Sequence, residues 1–516
     1  MASISIYQSL NSTSFIKNKA FSASTPRKSS FFGKHFSLSK YATRPVLSSA
    51  LNPITASSPS HPFDVVIIGA GIIGLTIARQ FLIGSDLSVA VVDKAVPCSG
   101  ATGAGQGYIW TVHKTPGSDT WDLTMRSHKL WMMLAESIDD QGLNSLEVLG
   151  WKKTGSMLIG RTPEELGTLK ERVKQLSEAG LRAEYLSSND LLLEEPALVV
   201  GEDSGAAFLP DDCQLDAMRT VAYIEKVNRH FASKGRYAEF YHDPVTCLLR
   251  SRRTGEVEAV QTSQNTLYVK KAIVVAAGSW SGSLVHDLFR ETEIVLDVPV
   301  KPRKGHLLVL ENFDSLKLNH GLMETSYVAH HDLTMNPGLV DLEQILSISM
   351  TATMDMMGNL VLGKILYFSS WFSSTTGLIL FELSLLIVVT YDHLSFSLSS
   401  VCTGSSRQFA GFNTEVDESI INRIWMRAAD FFPRLKDLSL ADFTRSRKVR
   451  VGLRPYMPDG KPVIGPVPGL SNVFLATGHE GGGLSMALGT AEMVADMVLQ
   501  NPLKIDSAPF TVQGRC

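Results

Sequence analysis

Residues 63–94 read FDVVIIGAGIIGLTIARQFLIGSDLSVAVVDK. The apolar run before Gly69 is typical of a buried parallel strand. The glycines at 69, 71 and 74 allow a tight turn, a close approach of backbone to a pyrophosphate, and close packing of the next helix. A second apolar strand ends at Val92, and Asp93 lies 19 residues beyond Gly74, where an acid can accept hydrogen bonds from ribose hydroxyls. This order of strand, glycine turn, helix, strand and acid predicts a dinucleotide site. The alternative is a glycine-rich turn in another α/β fold.

The chain before this stretch has the composition of a targeting segment. Residues 1–61 contain seven Lys or Arg, twenty Ser or Thr, and no Asp or Glu. Such a segment lacks the apolar centre of a secretory signal and cannot build a core, so we interpret it as a disordered organelle transit peptide. The Met-Ala-Ser opening and the excess of serine over arginine favour the chloroplast. The alternatives are the mitochondrion and a disordered cytosolic tail.

The remaining chain is acidic and poor in patterned cysteines. Without the leader's seven basic residues, 41 of the 48 Lys and Arg remain against 51 Asp and Glu. There is no broad basic field for a nucleic acid, and the basic run 445–450 is interpreted as a solvated strand edge. The five cysteines form no CxxC pair, which argues for a reduced compartment and against a disulfide framework, structural zinc or a redox-active pair. No metal site is expected.

Two further stretches have the composition of ligand-contacting loops. Residues 97–108, PCSGATGAGQGY, contain four glycines and no charge, so their backbone can lie against a ligand; the alternative is a flexible surface loop. Residues 271–281, KAIVVAAGSWS, are a buried strand that ends in a turn of small residues. A dehydrogenase that binds only a nicotinamide dinucleotide would not require this second strand-to-glycine junction.

Two C-terminal stretches complete the pattern, VGLRPYMPDGKPVIG at 451–465 and NVFLATGHEGGGLS at 472–485. With residues 69–74 and 275–281, they resemble the FAD-dependent amino acid oxidoreductases of the glycine oxidase, D-amino acid dehydrogenase and sarcosine oxidase family. Within that family, the chain resembles a plant plastid-type member. The resemblance covers most of residues 62–502, with the motifs in the expected order.

The resemblance implies an α/β fold with two interlocked parts. A two-dinucleotide-binding-type FAD domain has a parallel, Rossmann-like sheet, and an α+β substrate domain is built on an antiparallel sheet. The expected FAD part is about 62–145, 206–300 and 446–502, the substrate part is about 146–205 and 301–445, and a tail follows at 503–516.

The resemblance also implies a set of site residues around non-covalently bound FAD. The expected cofactor contacts are Gly69, Ala70, Gly71, Ile72, Ile73, Gly74, Asp93, Lys94, Ser99, Gly100, Ala101, Thr102, Gln106, Gly107, Val245, Ala276, Ala277, Gly278, Trp280, Gly452, Arg454, Gly478, Gly481, Gly482, Gly483 and Leu484. Gly481–Gly483 begins a helix whose free N–H groups can face the flavin.

Arg454 is the expected catalytic-site residue, since its planar guanidinium can bind the substrate carboxylate. The alternative is an arginine that pairs with Asp459 to brace the turn. His479 and Glu480 are interpreted as supports of the flavin loop, and Lys304 and His306 as neighbours that influence oxygen reactivity at most. No histidine stands at 99–110, where some relatives attach the flavin, so a covalent link is not expected and Cys98 is the nearby nucleophile.

The expected reaction is hydride transfer from the carbon beside nitrogen in a small amino acid or amine to flavin N5, giving an imine that water hydrolyses. Oxygen or a quinone would then accept the electrons. Two alternatives are a nicotinamide-dependent dehydrogenase and a non-catalytic or membrane-associated relative.

The family pattern is interrupted by residues 364–403. Removing them joins Gly363 to the family-like stretch at 405–412, and we interpret the 40 residues as a translated intron. The alternative is a membrane helix, but the apolar run 378–389 is shorter than the roughly 20 residues that a bilayer requires. A membrane association is therefore not expected unless the insertion is real.

Overall fold

The computed structural model of the protein describes residues 60–290, 296–325, 349–365 and 409–516. The residues from Ser60 to Cys516 form one compact unit. The predicted leader, apart from its last two residues, and residues 366–403 of the predicted insertion lie outside the described residues. Within the described residues, no helix combines the length and apolar character needed to cross a bilayer.

The strands are numbered in chain order. They are β1 (Ser60–Ile68), β2 (Val89–Val92), β3 (Tyr108–Ile109), β4 (Ser156–Gly160), β5 (Glu184–Ser187), β6 (Gly205–Leu209), β7 (Cys213–Gln214), β8 (Tyr237–Phe240), β9 (Val245–Arg250), β10 (Val257–Thr262), β11 (Thr266–Val275), β12 (Lys301–Leu310), β13 (Gly321–Glu324), β14 (Ser349–Met354), β15 (Leu360–Ile365), β16 (Arg447–Tyr456), β17 (Val463–Val467) and β18 (Leu470–Thr477).

The helices are numbered in the same way. They are α1 (Ile72–Gly84), α2 (Trp121–Asp140), α3 (Ser145–Leu149), α4 (Pro163–Glu178), α5 (Ser188–Glu194), α6 (Ala217–Arg229), α7 (Ser281–Phe289), α8 (Glu418–Ala429) and α9 (Gly483–Leu499).

The first sheet is the predicted parallel one. Its strand order is β17-β18-β11-β1-β2-β8, with β10 on β11 and β9 on β10, and the pairs from β18 to β8 run parallel. Val65 and Ile67 pack into one hydrophobic core, and Val66 and Ile68 pack into another. A strand buried on both faces has no polar side, which explains the unbroken apolar run.

The second sheet is largely antiparallel, as predicted. Its order is β16-β12-β15-β14-β13-β4-β6-β5, and only the β13–β4 pair within it is parallel. Helix α8 buries Ile420, Ile421 and Ile424 in the core against this sheet. The pairing places β6 and β16 in the second sheet, although most of β6 and all of β16 lie within the residue ranges predicted for the FAD part.

Residues 237–245 do not form one continuous strand. Strand β8 ends at Phe240 and β9 begins at Val245, with His242 in the left-handed conformation at φ 56°. Between the strands, the Asp243 carboxylate accepts hydrogen bonds from the Thr262 and Ser263 hydroxyls. These bonds stabilise a turn, which apolar alternation alone does not reveal.

Candidate functional site

A cavity of about 400 Å³ contains the two glycine turns that the sequence places far apart. Both the turn at 69–71 and the turn at 481–483 contribute to its wall, so a single ligand can contact both turns. The predicted contact residues all line this cavity except Gly74, Gly478 and Gly482.

The first glycine turn packs closely against neighbouring backbone on two sides. Gly69 has φ 119°, and a Cβ added to it would lie 2.3 Å from the carbonyl oxygen of Ala276. A Cβ on Gly74 would lie 2.0 Å from the carbonyl oxygen of Gly69. The missing side chain at Gly74 therefore lets α1 pack directly against the turn. The missing side chain at Gly69 lets the turn pack against the strand end at Ala276. Neither position can accept a side chain without moving backbone.

Asp93 holds the turn as well as lining the cavity. One of its carboxylate oxygens accepts a hydrogen bond from the Ala70 N–H at 2.7 Å, and the other accepts from the Ala95 N–H at 2.8 Å. Each carboxylate oxygen has a further lone pair for a ribose hydroxyl. The sequence pattern pointed to the ribose contact but not to the bracing of the turn.

The two helices that begin at the cavity are suited to an anionic ligand. Helices α1 and α9 have no cap from the side chain of their N-cap residue and no acidic residue in the first turn, and in α1 the Ile72 N–H donates to the Thr102 hydroxyl at 3.2 Å. By contrast, the side chains of Thr162, Ser187 and Asp216 cap α4, α5 and α6. Uncapped N–H groups with the positive end of a helix dipole bind phosphate and other anions well. The donors of this cavity therefore fit a dinucleotide.

Aromatic and cationic side chains form another part of the wall. The Lys94 ammonium lies 4.1 Å from the centre of the Trp280 ring. The other stacking partner of Trp280 is Phe412, with ring centres 5.6 Å apart and planes 17° apart. Trp280 was predicted as a contact, whereas the residue that supports it was not.

A further part of the wall comes from the second sheet. Gly305 and Leu307 on β12, Thr351 on β14 and Gly363 on β15 line it. The Thr351 hydroxyl donates to the Gln106 side-chain oxygen at 2.9 Å, and the Gln106 amide donates to the Thr353 hydroxyl and the Val361 carbonyl, each at 3.2 Å. Gln106 thus joins the loop at 97–108 to the second sheet.

Arg454 also lines the cavity, where it lies opposite Arg303 in the register of β16 and β12. Arg303 forms an ion pair with Glu480 at 2.6 Å. Asp459, the alternative partner considered for Arg454, accepts two hydrogen bonds from Arg515 at 2.7 and 2.9 Å. The structure therefore brings Arg454 and Glu480 to one wall and leaves Asp459 to brace the C-terminal residues.

Comparison with known proteins agrees with this geometry. The profile of the family described as FAD dependent oxidoreductase matches residues 64–345 and 348–497. The chain belongs to this family. FAD is therefore the dinucleotide, and the nicotinamide alternative is set aside.

Three proteins similar to this FAD-dependent oxidoreductase share 17–24% of their residues with it. Glycine oxidase from Geobacillus kaustophilus is 24% identical over 456 residues, which are 88% of this chain and 97% of that protein. Its crystal structure matches with a TM-score of 0.65 at 20% identity, covering 88% of this chain and all of that one. L-proline dehydrogenase from P. horikoshii matches with a TM-score of 0.64 at 17% identity, covering 88% and 97% of the two chains. Iminodiacetate oxidase from Chelativorans sp. BNC1 gives 0.62 at 19% identity, covering 87% and 98%.

Burial keeps three titratable groups that line the cavity, His306, His479 and Cys98, in their neutral forms near pH 7. Burial, and then the Lys304 ammonium, lower the pKa of His306 to about 4. Burial lowers the pKa of His479 to about 3, and its Nε2 lies 3.0 Å from the Thr490 hydroxyl. Burial raises the pKa of the Cys98 thiol to about 12, and a protonated thiol is a poor nucleophile. His306, His479 and Cys98 line the cavity, whereas Lys304 does not.

Proposed function

We propose that this FAD-dependent oxidoreductase oxidises the C–N bond of a small amino acid or secondary amine. The single observation that supports this most is the place of Arg454, which lines the same cavity as both glycine turns. The similar proteins named above include a glycine oxidase, an L-proline dehydrogenase and an iminodiacetate oxidase. Their named substrates all combine nitrogen with a carboxylate.

The residues of the chain have two roles in this proposal, beside the chemistry of the cofactor. The bound FAD supplies a hydride acceptor, and the product imine is hydrolysed by water. Arg454 holds the substrate carboxylate through two parallel hydrogen bonds and so fixes the carbon that reacts. The uncapped N–H groups at the start of α9 would help to hold the FAD and would stabilise negative charge on it. We propose oxygen or a quinone as the final electron acceptor.

The test is anaerobic reduction of the bound flavin by a panel of amino acids, with Arg454→Ala alongside. Loss of a bidentate charged contact costs about 2–5 kcal/mol, so we expect affinity for carboxylate substrates to fall by about 30-fold or more. Arg447→Ala is the matched control, because Arg447 lies on the same strand and pairs with Glu418 outside the cavity. If Arg454→Ala bound substrates as the wild type does, the proposed contact would be wrong.

We also propose that residues 1–61 direct the protein to the chloroplast. The support is their composition, which has no acidic residue and is rich in serine. A fluorescent protein fused after these residues should accumulate in plastids. Accumulation in mitochondria or the cytosol would contradict the proposal.

A further inference from the structure

Glu480 occupies a backbone position that favours glycine. Its φ is 42°, in the left-handed region that is unfavourable for a residue with a Cβ. Gly478 and the run 481–483 show that this turn uses glycine freely. A side chain kept at a strained position inside a site points to a function for that side chain.

The Glu480 carboxylate is held in place beside the cavity. Its Oε1 lies 2.6 Å from the Arg303 guanidinium, and the two side chains are only 14% and 8% exposed. Arg303 in turn lies over the Tyr456 ring, 4.6 Å from its centre. These contacts fix the carboxylate in a partly dry environment, where a charged hydrogen bond is stronger than in water.

Glu480 also lines the cavity together with Arg454. Among the described residues, the acids that line the cavity are Asp93, Asp287 and Glu480. Asp93 braces the first glycine turn, and Asp287 is an exposed residue of α7. The turn that carries Glu480 packs against β16, the strand of Arg454. One wall therefore presents a guanidinium and a carboxylate together.

We propose that Glu480 accepts hydrogen bonds from the amino group of the substrate while Arg454 holds its carboxylate. The inference rests on the proposed function and adds the residue that selects for nitrogen. A ligand with a carboxylate and an amine on one carbon matches both groups, whereas an amine-free acid matches only one. Arg303 holds the Glu480 carboxylate toward the ligand.

A simpler role for Glu480 makes the opposite prediction. Arg303 and Arg454 are cross-strand neighbours with like charges, which repel, and Glu480 offsets one of them. If that were its whole role, removing its charge would leave the wall more positive. Every carboxylate, with or without an amine, would then bind more tightly.

The experiment compares Glu480→Gln with the wild type in the FAD-loaded full chain. Dissociation constants are measured anaerobically, from perturbation or reduction of the flavin spectrum, for glycine against acetate, alanine against propionate, and proline against cyclopentanecarboxylate. We expect the amino acids to bind about 10-fold more weakly or worse, because a charged hydrogen bond is lost. The amine-free acids should change by less than about 3-fold, which corresponds to roughly half of one such bond.

Glu492→Gln is the control. Glu492 also pairs with an arginine, Arg126, at 2.7 Å, and its side chain is 13% exposed, but it does not line the cavity. It should leave both ligand classes unchanged. If Glu480→Gln does not retain FAD, Glu480→Gly removes the carboxylate while keeping a residue that accepts the left-handed turn, and the same loss of amine selectivity is expected.

The outcomes separate this inference from the function on which it rests. Equal weakening or tightening of amino acids and amine-free acids in the Glu480 variants would overturn the role of Glu480 and leave the amino acid oxidase proposal standing. A wild-type flavin that no amino acid perturbs or reduces would overturn both.

Discussion

Replacing Gly74 by alanine should damage both the fold and the retention of FAD. The new Cβ would lie 2.0 Å from the Gly69 carbonyl oxygen and 3.2 Å from the Ile67 side chain. The nearest obstacle is backbone, so the clash cannot be relieved by a rotamer change, and overpacking of this kind costs about 1–3 kcal/mol. The higher helix propensity of alanine stabilises the folded chain by about 1 kcal/mol relative to glycine. With the clash at the upper end of its range, the net loss is about 2 kcal/mol.

Gly84→Ala is the matched control on the same helix. The nearest atom to its added Cβ is the Gln80 side-chain nitrogen at 4.0 Å, so only the gain in helix propensity remains. We expect stabilisation of about 0.5–1 kcal/mol, which puts the two variants about 3 kcal/mol apart.

The assay combines thermal unfolding of the FAD-loaded protein with the flavin absorbance per mole of protein after gel filtration. Gly74→Ala should unfold at a lower temperature and lose FAD, because the turn at 69–71 is displaced. Gly84→Ala should keep its FAD and unfold slightly higher. Equal stability and equal FAD content in the two variants would refute the close-packing role of Gly74.

Two further predictions concern acid stability and the insertion. The pKa of His479 is lowered to about 3 in the folded chain against an ordinary 6.5, so the unfolded chain binds an extra proton as pH falls below 6.5, and stability should drop by up to about 1.4 kcal/mol per pH unit. His479→Gln should make that drop shallower in unfolding measured from pH 7 to 4, and an unchanged slope would contradict the assignment. The chain without residues 364–403 should be soluble and yellow; a colourless, unfolded product beside a well-behaved full-length chain would count against the intron interpretation. Because β15 includes Lys364 and Ile365, that deletion also tests whether residues after Gly363 can take over the last pairs with β14.

Much of the cofactor half of the site could be predicted because its signals are local. The residues of 63–94 encode strand, turn and helix in consecutive positions, and Gly69 and Gly74 each have a packing reason within that stretch or beside it. Because β1 is buried on both faces, its residues form an apolar run that can be recognised from the sequence alone.

The second wall of the cavity was less predictable because long-range register creates it. Thr351 and Gly363 are ordinary residues in sequence, and they meet Gln106 only when β14 and β15 pair beside the loop at 97–108. Glu480 illustrates the same limit. Its neighbours in sequence are glycines that suggest a loop support, while its partner Arg303 lies 177 positions away on β12.

The Arg515 guanidinium couples the last residues of the chain to the turn that follows Arg454. It donates to both Asp459 oxygens and to the carbonyls of Lys461 and Pro462, while Phe510 and Val512 are buried in the hydrophobic cores. Trimming by a carboxypeptidase, or an affinity tag appended after Cys516, would therefore disturb the hydrogen bonds between Arg515 and the turn that follows Arg454. Purification handles are better placed upstream of Ser60.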